Sequence, residues 1–238
     1  MNAAIAPPAI GLAVTELHRA LLELSSLGLS RPLLNRLTPG DGHGVLLLPG
    51  FLGDDGYNAS LRRYLDQLGY QTSGWDQGRN LGPRDDLLVR VVERIQSLAE
   101  ETGGKVSLIG HSLGGIYARE LAKEVPELVR QVISLGSPFG PGRETGSYPS
   151  RLFSRMNPPD ELEIDQDLLA DPPPVPTTAV FSKGDGVCNW KTCVQEGYHS
   201  QVQNIRVWGS HCGLTINPLV WLVLADRLAQ PEDDWKPF

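Results

Sequence analysis

Val106-Ser107-Leu108-Ile109-Gly110-His111-Ser112-Leu113-Gly114-Gly115 is the stretch whose reading decides the fold. A short, mostly apolar run leads straight into Gly-x-Ser-x-Gly, and Ile116 to Lys123 continues with helical spacing. Such a run suits a strand covered on both faces of a parallel sheet. A serine on a sharp turn between that strand and a helix has its hydroxyl pushed out at the end of the sheet. The glycines are a steric requirement, because a turn this tight leaves no room for Cβ atoms beside the serine. The helix N-terminus aims its dipole at the same point and favours negative charge that develops there. The five-residue motif is weak by itself; the strand before it and the helix after it give it weight.

Outward from this turn, strand and helix signals alternate. Upstream, Val45-Leu46-Leu47-Leu48 reads as a buried strand ended by Pro49-Gly50, Asn58 to Leu68 as a helix stopped by Gly69, and Tyr70 to Trp75 as a second strand. Asp85 to Glu101 opens with two aspartates and carries Leu88, Val91, Val92, Ile95 and Leu98 at helical spacing. Downstream, Gln131 to Leu135, Thr177 to Ser182 and Asn204 to Trp208 read as strands, and Pro218 to Ala229 as a closing helix. Alternation of this kind predicts an α/β fold: a doubly wound, mostly parallel sheet of about six strands with helices on both faces. Near the N-terminus, Val14, Leu17, Leu21 and Leu24 form one helical face, with Gly28 as the expected stop. Phe139 to Pro176 breaks the rhythm with Gly, Pro and acidic residues, and a long excursion between strands suits a functional flap or lid.

The 238 residues read as one domain, 1–238, with an N-terminal helical segment at 1–40 and the flap inserted at 139–176. A net charge of −7 disfavours nucleic acid and anionic membranes as partners. The longest apolar run, Leu219 to Ala225, is far too short for stable membrane insertion. Met1 to Gly28 lacks a basic start and a collected apolar stretch, so a cytoplasmic location is expected, although a processed exported form would look the same. Three cysteines imply no disulfide framework. The sequence does not speak to oligomeric state.

A serine at its ordinary pKa needs a base, and the base needs an acid to orient it. Where a serine on such a strand-to-helix elbow carries a triad, the partners follow in the order Ser, Asp or Glu, His. Only His199 and His211 lie far enough downstream. His211 follows a strand at its C-terminal end, where ligand sites of such sheets lie, whereas His199 precedes that strand. His211 is the expected base. Asp185, in the turn after Thr177–Ser182, is the expected acid, with Glu196 in reserve; Asp165, Asp167 and Asp171 precede the strand and read as solvated charges. The oxyanion donors are assigned by position to the backbone N–H groups of Leu113, after the nucleophile, and Phe51, in the loop after the first strand. Phe51, Leu52, Phe139, Leu152, Phe153, Met156 and Trp190 are expected to line an apolar substrate pocket. The Gly74 to Pro83 segment reads as a structural loop.

The chain resembles the α/β-hydrolase superfamily, and more narrowly its bacterial lipases and esterases. Leu48-Pro49-Gly50-Phe51, the Ser112 motif, Ser134-Leu135-Gly136-Ser137-Pro138, Gly184-Asp185-Gly186-Val187 and Gly209-Ser210-His211 carry the resemblance in chain order. It implies Ser112 as nucleophile, Asp185 as acid, His211 as base, an acyl-enzyme route and no cofactor. Two departures stand out. Pro49 replaces the histidine that usually opens the oxyanion loop, and Gly213 stands where several such lipases place a calcium-binding aspartate, so no metal is expected. The resemblance also makes Cys193 with Cys212 the most plausible disulfide, against free buried thiols as the default. The expected activity is hydrolysis of small or lipid-like carboxylic esters. A thioesterase, acyltransferase or amidase on the same triad, or a binding protein on a hydrolase scaffold, are the rival readings.

Overall fold

A computed structural model describes residues 5–84, 86–158, 168–197, 200–232 and 234–238. Six strands form one sheet: β1 (Gly44–Leu48), β2 (Gln71–Gly74), β3 (Val106–His111), β4 (Val129–Leu135), β5 (Thr177–Ser182) and β6 (Val202–Val207). Every pairing is parallel and the order is β2-β1-β3-β4-β5-β6. The expected doubly wound sheet of about six strands is the observed one.

Strand side chains alternate between faces, so the sheet has two cores. Val45 and Leu47 of β1, with Ile109 and Ile133, pack under α3 (Asp55–Leu68), α7 (Pro218–Leu228) and Leu27 and Leu34 of α2 (Glu16–Leu34). Leu46 and Leu48, with Leu108 and Val132, pack under α4 (Leu87–Thr102) and α5 (Leu113–Glu124). α3 starts where Asp54 accepts from the Gly56 N–H and stops at Gly69, whose φ of 101° is open to glycine. No described helix is long and apolar enough to cross a membrane.

The N-terminal segment departs from expectation twice. A short α1 (Ile10–Val14) precedes α2, and α2 runs through Gly28 and Pro32 to Leu34. Tertiary contacts override the glycine: Leu27 and Leu34 are in the core, and the Tyr64 hydroxyl donates to the Leu34 carbonyl at 3.2 Å. The face bearing Val14, Leu17, Leu21 and Leu24 is turned to solvent, with Leu17 72% exposed. The buried face carries Glu16, Ala20 and Leu27 instead.

In the 139–176 excursion, α6 (Ser150–Met156) lies over the C-terminal end of the sheet. Ser147 pairs with Cys188 and the Asn157 side-chain amide donates to the Leu81 carbonyl, so the described part is tied down on two sides. Asp165, Asp167 and His199 lie outside the described residues. Asp171 and Glu196 are exposed.

Candidate active site

Ser112 stands between β3 and α5 with φ 51° and ψ −120°. A non-glycine residue with such a φ is strained by roughly 1–3 kcal/mol and persists only where its surroundings over-determine it. Here they do. A Cβ on Gly110 would lie 2.2 Å from the Gly114 carbonyl oxygen, and one on Gly114 would lie 2.3 Å from the Leu48 carbonyl oxygen. The elbow is packed so closely, against the first turn of α5 at Gly110 and against β1 at Gly114, that only glycine fits two residues before and two after the serine. Ser112 itself is half-buried and reachable.

Asp185 and His211 follow β5 and β6, at the same end of the sheet. Both are buried, and Asp185 Oδ2 lies 2.6 Å from His211 Nδ1. Asp185 Oδ1 accepts from the Val187 and Cys188 N–H groups at 2.8 and 2.7 Å, which fixes the carboxylate plane. Burial works against the imidazolium, but the Asp185 charge and hydrogen bond, with a smaller push from Glu16, hold the His211 pKa above its ordinary value. His211 Nε2 has no hydrogen-bond partner among the described residues, and neither has Ser112 Oγ. Asp185 and His211 are therefore joined, while Ser112 and His211 are not hydrogen-bonded in this conformation. Such bonds are often long in a free enzyme and close when substrate arrives.

Two residues outside the sequence reading hold the base loop against the elbow. His111 Nε2 lies 3.0 Å from the His211 carbonyl oxygen, and the Tyr57 hydroxyl donates to the Cys212 carbonyl at 2.7 Å. Their rings stack at 5.1 Å. Burial, reinforced by the neighbouring His211 charge, lowers the His111 pKa to about 3, so its ring is a neutral donor. His111 occupies a position the motif leaves open, so nothing in the pattern singles it out.

The N–H groups of Phe51 and Leu113 find no acceptor among the described residues. The Phe51 loop is held by Asn80, which is fully buried. Its side-chain amide donates to the Pro49 carbonyl at 2.7 Å, its own N–H donates to Gly53, and its carbonyl accepts from Leu52 at 2.7 Å. The Gly74 to Pro83 loop thus shapes the site by gripping the turn after β1.

A cavity of about 290 Å³ opens beside Ser112 and Leu113. Phe51 and Phe153 line it, edge to face at 5.5 Å. The other expected lining residues do not. Leu52 and Leu152 face solvent, Phe139 is buried under the Arg119 guanidinium, Trp190 stacks on Phe181 beneath Lys183, and Met156 lies outside the lining. Ile116, Pro138 and Leu169 supply apolar wall in their place. The Cys193–Cys212 pairing that the resemblance suggested does not form, and the default reading of free thiols is the observed one. All three cysteines are thiols: Cys193 packs with Cys188 and Phe181, whereas Cys212 sits among Glu16, Asp185 and Tyr57. Among the described residues, no cluster of three or more His, Cys, Asp or Glu side chains is arranged to hold a metal ion.

A family model described as "Alpha/beta hydrolase family" matches residues 28–237. Among solved structures, the chain is similar to one reported for the metagenome-derived lipolytic enzymes LipS and LipT, with a TM-score of 0.61, 16% identity, and coverage of 81% of this chain and 94% of that one. It is also similar to mature Bacillus licheniformis lipase BlEst2, with a TM-score of 0.57, 16% identity, and coverage of 81% and 94%. For the Paleococcus ferrophilus monoacylglycerol lipase the values are 0.53, 17%, 81% and 95%. At these identities the likeness is one of fold.

Proposed function

The chain belongs to the alpha/beta hydrolase family, and from that membership we propose that it cleaves carboxylic esters through an acyl-enzyme formed on Ser112. The observation that carries the reading is a strained, reachable serine on the wall of a mainly apolar cavity, with a joined acid–base pair at the same end of the sheet. An uncharged acyl chain suits those walls.

In the proposed reaction, Ser112 Oγ attacks the ester carbonyl carbon as His211 Nε2 takes its proton. The Phe51 and Leu113 N–H groups hold the oxyanion, and Asp185 stabilises the imidazolium and keeps Nδ1 protonated. The C–O bond to the alcohol then breaks, and His211 returns the proton to the leaving oxygen. Water attacks the acyl-serine with His211 again as base, releasing the acid and the free serine.

The test is Ser112→Ala. Turnover of p-nitrophenyl esters is expected to fall by about 10³-fold or more, and a fluorophosphonate probe should label wild-type protein once, at Ser112. Undiminished turnover by the variant would overturn the reading.

A further inference from the structure

Glu16, Arg19 and Glu23 stand three and four residues apart, in one row along α2. All three reach the loops that carry Asp185 and His211. Glu16 is shared between those loops: Oε2 accepts from the Gly186 N–H at 3.0 Å and Oε1 from the Cys212 N–H at 2.8 Å. Glu23 Oε1 accepts from the Ser210 N–H at 2.7 Å, and Oε2 from the Asn217 side-chain amide at 2.9 Å. Arg19 pairs with Glu16 at 2.6 Å and donates to the Gly184 carbonyl at 2.5 Å. The backbone immediately before and after Asp185, and immediately before and after His211, is thus held by a single helix.

The loops make room for this grip. A Cβ on Gly186 would come within 2.5 Å of Glu16 Oε2, and one on Gly213 within 2.2 Å of Glu23 Oε2. At Gly213 the Glu23 carboxylate fills the space that a side chain would need. Burying a carboxylate is unfavourable unless it is paired or hydrogen-bonded. Docking a helix does not require it, since α2 has an apolar face available and turns that face outward. The buried Glu16 carboxylate, with Glu23 half-buried in the same row, therefore points to a task other than attachment.

We propose that Glu16, Arg19 and Glu23 are positioning residues that set the separation and angle of Asp185 and His211 by clamping the backbone on both sides of each. This rests on the reading of Asp185 and His211 as acid and base. A second consequence is electrostatic. His211 faces the carboxylates of Asp185 and Glu16 and the neutral His111 ring, with the Cys212 thiol on its own loop, the Tyr57 hydroxyl of α3 bonded to that loop, and Arg19 and Glu23 behind Glu16. Glu16 favours the imidazolium, and its neutral isostere should not.

The test compares full-length wild type with Glu16→Gln and Glu23→Gln. It reads kcat and KM across pH with a p-nitrophenyl ester, and the His211 ring titration by NMR. For Glu16→Gln, kcat is expected to fall about 10- to 100-fold with KM within about two-fold, as for a displaced catalytic group. The acid limb and the ring titration should both move to lower pH. Glu23→Gln should lower kcat and leave the ring titration in place. A folded Glu16→Gln protein with wild-type kcat and titration, or a change confined to KM, overturns the proposal. If Glu16→Gln does not fold, Arg19→Gln, whose side chain is partly exposed, carries the same kcat test with the same two outcomes. The NMR readout needs no substrate. A shifted titration in a protein that turns over no ester leaves the clamp standing and removes the ester reading; wild-type behaviour of an active variant does the reverse.

Discussion

His43 Nε2 stands 2.8 Å from Ser107 Oγ, and Asp41 Oδ1 stands 2.5 Å from His43 Nδ1. This is a second serine–histidine–aspartate chain, at the opposite end of β3 from Ser112, and its hydrogen bonds are closed. Yet Ser107 has no exposed surface and lies in register between Val45 of β1 and Gln131 of β4. Arg130 adds a bond to Asp41 at 2.7 Å, so the cluster ties the entry of β1 to the neighbouring strands. Hydrogen-bond geometry alone does not mark a reactive serine. Access and backbone strain separate the two.

Ser107→Ala is accordingly expected to leave ester turnover at the wild-type level. It should cost about 1–3 kcal/mol of stability, because the buried His43 nitrogen loses its partner. Urea unfolding alongside an activity assay checks both halves. Loss of activity in a folded variant would mean that the wrong serine has been chosen.

Asp185→Asn removes the charge that, together with the Asp185 hydrogen bond and Glu16, outweighs burial at His211. On the proposed mechanism, kcat should fall by about 10³- to 10⁴-fold, as expected when the base loses its orienting acid. What activity remains should have its acid limb at lower pH, since the imidazolium is no longer favoured. A kcat/KM profile from pH 5 to 9 is the measurement, and an unmoved limb contradicts the assignment of His211 as base.

Cavity size should set acyl preference. About 290 Å³ holds on the order of ten groups of water size. Ile116→Trp places a larger side chain in the wall, so long-chain esters should lose about 10- to 100-fold in kcat/KM relative to acetate esters. Equal losses across chain lengths would show that the acyl group lies elsewhere.

His111 gives a pH dependence of stability with a definite sign. Its folded pKa of about 3 lies below the ordinary 6.5, so its contribution is complete above 6.5 and is lost as pH falls. Between those values the unfolded chain takes up a proton that the folded one does not, at about 1.4 kcal/mol per pH unit. His43 is also lowered, chiefly by burial, and acts in the same direction. His211 is raised, so its contribution is full below 6.5 and fades only as pH rises. The slope of unfolding free energy between pH 6 and 4 should therefore be shallower in His111→Asn than in wild type.

Strand positions were legible because apolar runs in a parallel sheet are continuous and end at glycine or proline. Thr177–Ser182 has the bounds that its residues suggest, and β1 begins one residue earlier than its apolar run. Chain order then put Ser112, Asp185 and His211 at one end of the sheet. The cavity wall was not legible. Ile116 and Leu169 reach it from a helix and a loop far apart in sequence, whereas exposed Leu152 looks just as apolar on paper. Asn80 gave no signal either, since a buried asparagine that holds a loop and a surface turn asparagine are the same letter. For α2, periodicity marked a face at Val14, Leu17, Leu21 and Leu24. The loops meet Glu16 and Glu23 chiefly through backbone N–H groups, of Gly186, Cys212 and Ser210, which leave no trace in side-chain pattern, and the inward side is theirs.

The helix that grips the Asp185 and His211 loops has a consequence for how the protein is made. Along the chain, 170 residues separate Glu16 from Gly186 and 196 separate it from Cys212. A ribosome therefore releases the clasp long before it releases what the clasp closes on, and contacts of such sequence separation form slowly. Until translation passes β6, Leu27 and Leu34 of this helix lack part of their core and its carboxylates lack their backbone partners. A message broken between the Ser112 turn and His211 yields a chain with the serine elbow and without the proposed base.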